Sequence, residues 1–239
     1  MNSINRPQAS QNYLTVMYDP DVRPVTTYPS KLCVYLAKKF QLCAGMKVLD
    51  IGCGRGEYLK GFEELGLVAS GVDSSARAGH LAPNSSVHQV DIENESLPFS
   101  ESTFDVVFSK SVLEHLENPI SLLEDQFRVL KPGGVLINLT PSWEFQYRIF
   151  FDDFTHKSPF TRKSLGMATK ATNFEAVEAV YFRQLPLLWS IGGLLPLAEV
   201  TRLLAPTRLG SHIKWVRFSK EIMVLCFARK PGAVAQSSQ

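Results

Sequence analysis

The chain has 239 residues, of which 45% are hydrophobic, enough for one α/β domain with a substantial core but cramped for two. A formal charge of +2 gives no global signal for nucleic acid, and no nucleic-acid partner is expected. The four cysteines, Cys33, Cys43, Cys53 and Cys226, have no paired short spacing, which argues against a zinc site or disulfide framework and for reduced thiols; no metal is expected.

The polar start from Met1 to Gln11 lacks the charged-then-apolar order of a signal peptide, and no apolar run reaches membrane-spanning length, so a cytoplasmic location is expected. Residues 1–27 show no clear periodicity and read as an extended arm or short helix. From Pro29 to Leu42, the positions Leu32, Val34, Tyr35, Leu36 and Phe40 fit an amphipathic helix, with Pro29 and Ser30 as start signals and Gly45 just past its end. This arm and helix make up residues 1–45.

The stretch Lys47–Leu59 reads Lys-Val-Leu-Asp-Ile-Gly-Cys-Gly-Arg-Gly-Glu-Tyr-Leu. A short buried strand is followed by Gly52, Gly54 and Gly56 before a helical pattern resumes at Glu57. Strand, glycine turn and helix let backbone pass close to a ligand, because glycine carries no side chain and tolerates positive φ. The helix through Leu65 ends at Gly66, and Leu67–Val72 reads as a second strand closing on Asp73. An acidic residue about 20 positions after a glycine turn is placed to accept hydrogen bonds from both ribose hydroxyls of an adenosine. The alternative is an Asp capping a helix that starts at Ser74 and Ser75.

Val87–Ile92, containing Asp91, forms a third apolar run, followed by the polar loop Glu93–Thr103. Phe104–Ser109 is a fourth strand, Val112–Leu130 is mostly helical, and Lys131–Gly134 makes a sharp turn into a fifth strand, Val135–Thr140. Alternating strands and helices predict a parallel, doubly wound sheet whose ligand site lies beyond the carboxyl ends of the strands. Asp50–Gly56, Asp73, Asp91 and Ser109 fall at that edge.

Over Lys47–Pro141 the sequence resembles class I S-adenosylmethionine-dependent methyltransferases, especially their small-molecule branch. Val-Leu-Asp-Ile-Gly-Cys-Gly-Arg-Gly is similar to the family's first motif, Gly-Val-Asp to its second-strand acidic motif and Val-Asp-Ile to its adenine-side motif; Phe-Asp-Val-Val-Phe-Ser, Leu-Glu-His-Leu and Leu-Lys-Pro-Gly-Gly-Val-Leu complete the series. The resemblance implies S-adenosylmethionine as cofactor. Asp50 and the turn (Gly52, Cys53, Gly54, Gly56) would hold its methionine portion, Asp73 with the adjacent Ser74 the ribose, and Asp91 with Ile92 the adenine. Ser109 and Lys110 would line the methionine end. The family's seven-stranded, mostly parallel sheet with an antiparallel last strand finds its remaining members in Ala176–Phe182 and Ile222–Ala228. One methyltransferase domain over residues 1–230 is the resulting expectation.

Residues 141–160 form a long aromatic connection, Trp143, Phe145, Tyr147, Phe150, Phe151 and Phe154, read as a substrate loop. Within it, His156 is the general-base candidate and Asp152 or Asp153 could orient it; the alternative is a histidine holding the loop through backbone. His115 reads as a helix-start residue rather than a catalyst. The stretch Asp153–Phe160, Asp-x-Thr-His-x-x-x-Phe, resembles bacterial methyltransferases of saccharide and cell-envelope biosynthesis, which implies O-methylation of a sugar or a lipid-linked metabolite. Residues 183–220 form a small helical cap, leucine-rich up to Leu204 and then basic (Arg208, His212, Lys214, Arg217, Lys220). Peripheral membrane contact and packing on the sheet or a second subunit are both open readings. Residues 231–239 read as a disordered tail. Two competing functions are a non-catalytic binding protein retaining the fold and a nicotinamide-dependent oxidoreductase. The second fits poorly, because the turn is G-x-G-x-G rather than G-x-G-x-x-G.

Overall fold

The computed structural model describes residues 24–206 and 213–232. Most of the N-terminal arm, Arg208 and His212 of the basic group, and the tail from residue 233 lie outside them. The described chain falls into two compact units divided after Ser100.

In the first unit, helix α1 (Tyr28–Phe40) buries Leu32, Cys33, Leu36 and Phe40, one stripe at helical spacing, and ends at Gln41 in the left-handed conformation. Strand β1 (Lys47–Ile51) is buried at every position but its first, as a strand covered on both faces must be. Helix α2 (Glu57–Glu63) packs on α1 through Gly61, where a Cβ would meet the Cys33 Sγ at 2.8 Å. Strands β2 (Val68–Asp73) and β3 (Ser86–Gln89) complete a parallel set, β2 pairing with β1 and with β3. Two expectations need correction. β3 stops at Gln89, so Asp91 and Ile92 sit in a turn, where Asp91 Oδ1 accepts the Glu93 N–H at 3.2 Å. No helix begins at Ser74; residues 74–81 run as bends and turns.

The second unit begins with β4 (Phe104–Lys110) and a 3-10 turn over Leu113–His115. Leu116 is extended, and helix α3 (Pro119–Val129) starts only at Pro119. The single helix expected from Val112 is therefore a turn and a shorter helix, because Asn118-Pro119 disfavours helix before the proline. Strand β5 (Leu130–Pro141) includes the Lys-Pro-Gly-Gly segment. Its pairing with β4 is irregular between Phe104 and Val106, where Gly133 has a φ of 78° and Gly133 N–H donates to the Lys230 carbonyl. The expected sharp turn is a bulge inside a strand.

The chain continues through α4 (Trp143–Gln146), α5 (Arg162–Ala171), β6 (Glu175–Arg183), α6 (Pro186–Ser190), α7 (Leu195–Leu204), α8 (Lys214–Lys220) and β7 (Ile222–Arg229). Thr161 caps α5 in a reciprocal box with Ser164. β4 and β5 are parallel, whereas β7 runs antiparallel to both β5 and β6. The strand order is β3-β2-β1-β4-β5-β7-β6, the seven-stranded α/β sheet with an antiparallel last strand that the resemblance implied. The cap is helical, but its leucines are not packed away: Leu197, Leu203 and Leu204 are exposed, the last at 77%. Among the described residues no helix is long and apolar enough to cross a membrane.

Candidate functional site

The chemistry of the first unit gathers at the carboxyl ends of β1 and β2. Gly52, Gly54 and Gly56 all have positive φ, 70°, 50° and 90°, so the turn between β1 and α2 curls through conformations that side chains resist. At Gly56 the space is closed as well, since a Cβ would lie 3.0 Å from the Gly79 Cα. The Gly52 and Cys53 N–H groups donate to the Val72 carbonyl, tying the turn to β2. The Asp73 carboxylate completes the tie: Oδ2 accepts the Gly54 N–H at 2.8 Å and Oδ1 accepts the Ser75 N–H at 2.9 Å. Each oxygen keeps acceptor capacity beyond these bonds. The ribose and capping readings of Asp73 are therefore compatible, and what it caps is the glycine turn and a bend. Ser74 beside it is exposed.

Asp50, at 1% exposure, is the other acid of the turn, and its Oδ2 has no hydrogen-bond partner. Burial, and then the neighbouring charge of Asp73, push its carboxyl well above the usual carboxylate range. Burial likewise raises Asp73, against the lowering effect of its two N–H bonds. A buried acid with an unmet oxygen beside backbone that excludes side chains suits a ligand carrying donors and positive charge, such as the ammonium of an amino acid. The donor set thus fits the methionine and ribose portions of the cofactor the resemblance implied.

In the second unit, Ser109 is buried and gives its hydroxyl proton to Asn138 Oδ1 at 2.8 Å; Asn138 and Gln126 exchange two further amide bonds. The Ser109 side chain therefore serves the core. Lys110 at the end of β4 is half-buried.

A polar cluster forms where the segment around His156 meets the 3-10 turn. Lys157 and Ser158 N–H both donate to the Glu114 carbonyl, and Ser158 Oγ donates to the Leu116 carbonyl, pinning the two segments together. This brings the His115 and His156 rings to 4.8 Å between centroids. His156 Nδ1 lies 2.6 Å from the Phe150 carbonyl, which only accepts, so Nδ1 carries the proton and Nε2 is the basic nitrogen of the neutral ring. Thr155 Oγ1 donates to Asp153 Oδ1 at 2.6 Å, so its contact of 2.9 Å with His115 Nδ1 must be filled by the histidine's proton. Asp153 stands 3.9 Å from His156 Nε2, beyond hydrogen-bonding reach. The Phe150 carbonyl holds the ring, while Asp153 gives Oδ1 to Thr155 and keeps Oδ2 facing His156. Asp152, the other acid considered for that task, is exposed.

The residue that sequence reasoning passed over is Glu114. It is fully buried; Oε2 accepts from Thr140 Oγ1 at 3.0 Å and Oε1 has no hydrogen-bond partner. Burial pushes its carboxyl up to about 7, against the lowering pull of its own backbone N–H, the Thr140 hydroxyl, the Lys110 charge and the nearby Ser111 hydroxyl. Burial, and then His156, push His115 down to about 4, leaving a neutral imidazole at pH 7. Asp153 is raised by burial, but the Thr155 hydroxyl and N–H outweigh this and hold it below its ordinary value. The sequence signal for Glu114 was an acid inside an otherwise apolar turn, Leu-Glu-His-Leu.

A family model described as "Methyltransferase domain" matches residues 26–179, more than half of the chain. The chain belongs to that methyltransferase family. A Maricaulis maris relative named ubiquinone biosynthesis O-methyltransferase is 36% identical over 106 residues, 40% of this chain and 41% of that protein. The chain spans about two fifths of the length of the first curated relatives it matches. A chain of the complex between the Haloferax volcanii Trm112 methyltransferase activator and a methyltransferase aligns with a TM-score of 0.69 at 18% identity, covering 93% of this chain and 98% of that one. A SAM-dependent methyltransferase from Archaeoglobus fulgidus aligns with a TM-score of 0.63 at 20% identity, covering 90% and 99%. The two structures share the fold.

Within this methyltransferase family chain, the Asp73 clamp is directly measurable. Asp73→Ala removes the acceptor for the Gly54 and Ser75 N–H groups, and native-state hydrogen exchange of these amides should accelerate about tenfold or more, the scale of a lost charge-assisted bond. Unchanged protection in the folded variant would show that the carboxylate does not hold the turn.

Proposed function

We propose that the protein catalyses methyl transfer from S-adenosylmethionine to a small molecule, and that the accepting atom is a hydroxyl oxygen. The observation that carries this reading is the glycine turn locked to Asp73, with the unmet carboxylate oxygen of Asp50 beside it. Asp50 and the turn residues Gly52, Cys53, Gly54 and Gly56 bind the methionine portion, Asp73 and Ser74 the ribose, and Asp91 and Ile92 the adenine; Ser109 and Lys110 line the methionine end. The name of the Archaeoglobus neighbour supports the donor, and that of the Maricaulis relative supports oxygen as acceptor.

When bound, the cofactor supplies a sulfonium methyl already activated for displacement. The chain's part is to orient the nucleophile, exclude water and remove one proton. His156 takes that proton at Nε2, its Nδ1–H being held by Phe150, with Asp153 Oδ2 3.9 Å away. The finer proposal is a hydroxyl on a sugar or lipid-linked metabolite. The Asp153–Phe160 resemblance supports it, and so do the exposed leucines of α7 with the basic α8 nearby in sequence.

Isothermal titration of the full chain with S-adenosylmethionine and S-adenosylhomocysteine tests the donor assignment: both should bind, and Gly54→Val should bind neither, because a β-branched residue resists the 50° φ and fills the approach. Failure of the wild type to bind either at millimolar concentration would leave a fold without its cofactor. For His156→Ala, cofactor affinity should stay near normal while turnover falls roughly a hundredfold, the usual scale of a lost general base. An unchanged rate would reduce His156 to a loop anchor.

A further inference from the structure

The Glu114, His115 and His156 cluster has features that a proton relay does not require. Each of the three side chains can offer one ligand atom, and these atoms lie within 4.8 Å of one another. Three donors around an ion at about 2.1 Å stand roughly 3.0–3.4 Å apart, so a pair at the 4.8 Å limit would have to close by about 1.4–1.8 Å. Both histidines have Nδ1 committed, to the Phe150 carbonyl and to Thr155 Oγ1, and this selects Nε2 as the coordinating nitrogen of each. Such outer hydrogen bonds are what fix the tautomer and ring angle of metal-binding histidines. The carboxylate is held in the same way: Thr140 takes Oε2, and the fully buried Oε1 is left without a hydrogen-bond partner.

We propose that Glu114, His115 and His156 form a binding site for a divalent transition-metal ion of the zinc class, with Thr140, Thr155 and Phe150 orienting the ligands. Two imidazoles and one carboxylate are the donor set that zinc and its first-row neighbours accept while keeping positions open for another oxygen ligand. The ion supplies the partner that the buried Oε1 lacks. The two elements bearing the ligands are locked by the Lys157 and Ser158 bonds to the Glu114 carbonyl, so the site is largely formed before binding. One consequence rests on the methyltransferase reading: with Nε2 on the ion, His156 would no longer take the proton, and the ion would instead acidify a coordinated acceptor hydroxyl, whose proton would leave to solvent.

The test is titration of chelator-treated full-length protein with Co(II), followed by visible d–d absorption, and with Zn(II), followed by calorimetry. One equivalent should bind, with bands of a four- or five-coordinate nitrogen and oxygen site. His115→Ala, His156→Ala and Glu114→Gln should each weaken binding at least about tenfold, and Thr155→Val, which removes the bond orienting His115 together with the hydroxyl bond to Asp153, by about tenfold. His88→Ala, at an exposed histidine of the first unit, should leave binding unchanged. The wild-type spectrum needs no variant, so misfolding of Glu114→Gln cannot mask the answer. Absence of a stoichiometric Co(II) spectrum, or affinity unaltered in folded His156→Ala, would overturn the site. S-adenosylmethionine titration of the same metal-free protein reads the donor assignment separately, so failure of either reading is distinguishable from failure of the other.

Discussion

The Asp73 carboxylate accepts N–H groups from Gly54 on the turn after β1 and from Ser75 just past β2, and the arrangement of the first unit's polar edge depends on that clamp. Three glycines at positive φ would otherwise leave the most flexible stretch of the unit where a ligand has to be met by fixed backbone. The clamp and the two N–H bonds to the Val72 carbonyl convert that freedom into a defined curve. The cost is a pair of acids in a buried place. Asp73 offsets its burial with two backbone donors, whereas Asp50 has one oxygen unmet and a carboxyl raised well above its ordinary range. A native fold retains such a group where a ligand meets it.

A second buried carboxylate organises the other unit in a different manner. The backbone carbonyl of Glu114 anchors Lys157 and Ser158, so this one residue holds the His156 segment in place while its side chain stands beside two imidazoles. His115 is neutral through burial, and its proton is directed toward Thr155 and on toward Asp153. The cluster is therefore a set of lone pairs and one carboxylate in a place with little water, equally able to take a proton or to surround a cation. These two uses compete for the same Nε2 of His156.

Much of this was legible in the sequence, for physical reasons that differ from element to element. β1 and the glycine turn were readable because burial on both faces demands a continuous apolar run and because positive φ selects glycine. Asp73 was readable from its spacing, although not its bond to Gly54, which depends on how the turn folds back. Leu-Lys-Pro-Gly-Gly misled: proline and glycine signal a turn, but tertiary pairing with Lys230 carries the strand through as a bulge. Asp153 was legible in part: one carboxylate oxygen stands 3.9 Å from His156 Nε2, while the other is taken by Thr155, a bond that spacing alone does not show. Glu114 left one signal, an acid between apolar neighbours, but its full burial and its hydroxyl partner Thr140 come from distant chain and are not written in the turn. The exposure of Leu203 and Leu204 was equally invisible, since composition shows only that leucines are present.

The central claim, that the clamped glycine turn and its two acids form a donor-binding edge, is tested most directly by a crystal structure of the full chain with S-adenosylhomocysteine bound. The expected result has the ribose hydroxyls donating to the Asp73 oxygens, with the Gly54 bond retained, and the ligand's ammonium on the side of Asp50. A ligand bound elsewhere, with Asp50 Oδ2 still unmet and Asp73 touching only Gly54 and Ser75, would contradict the account.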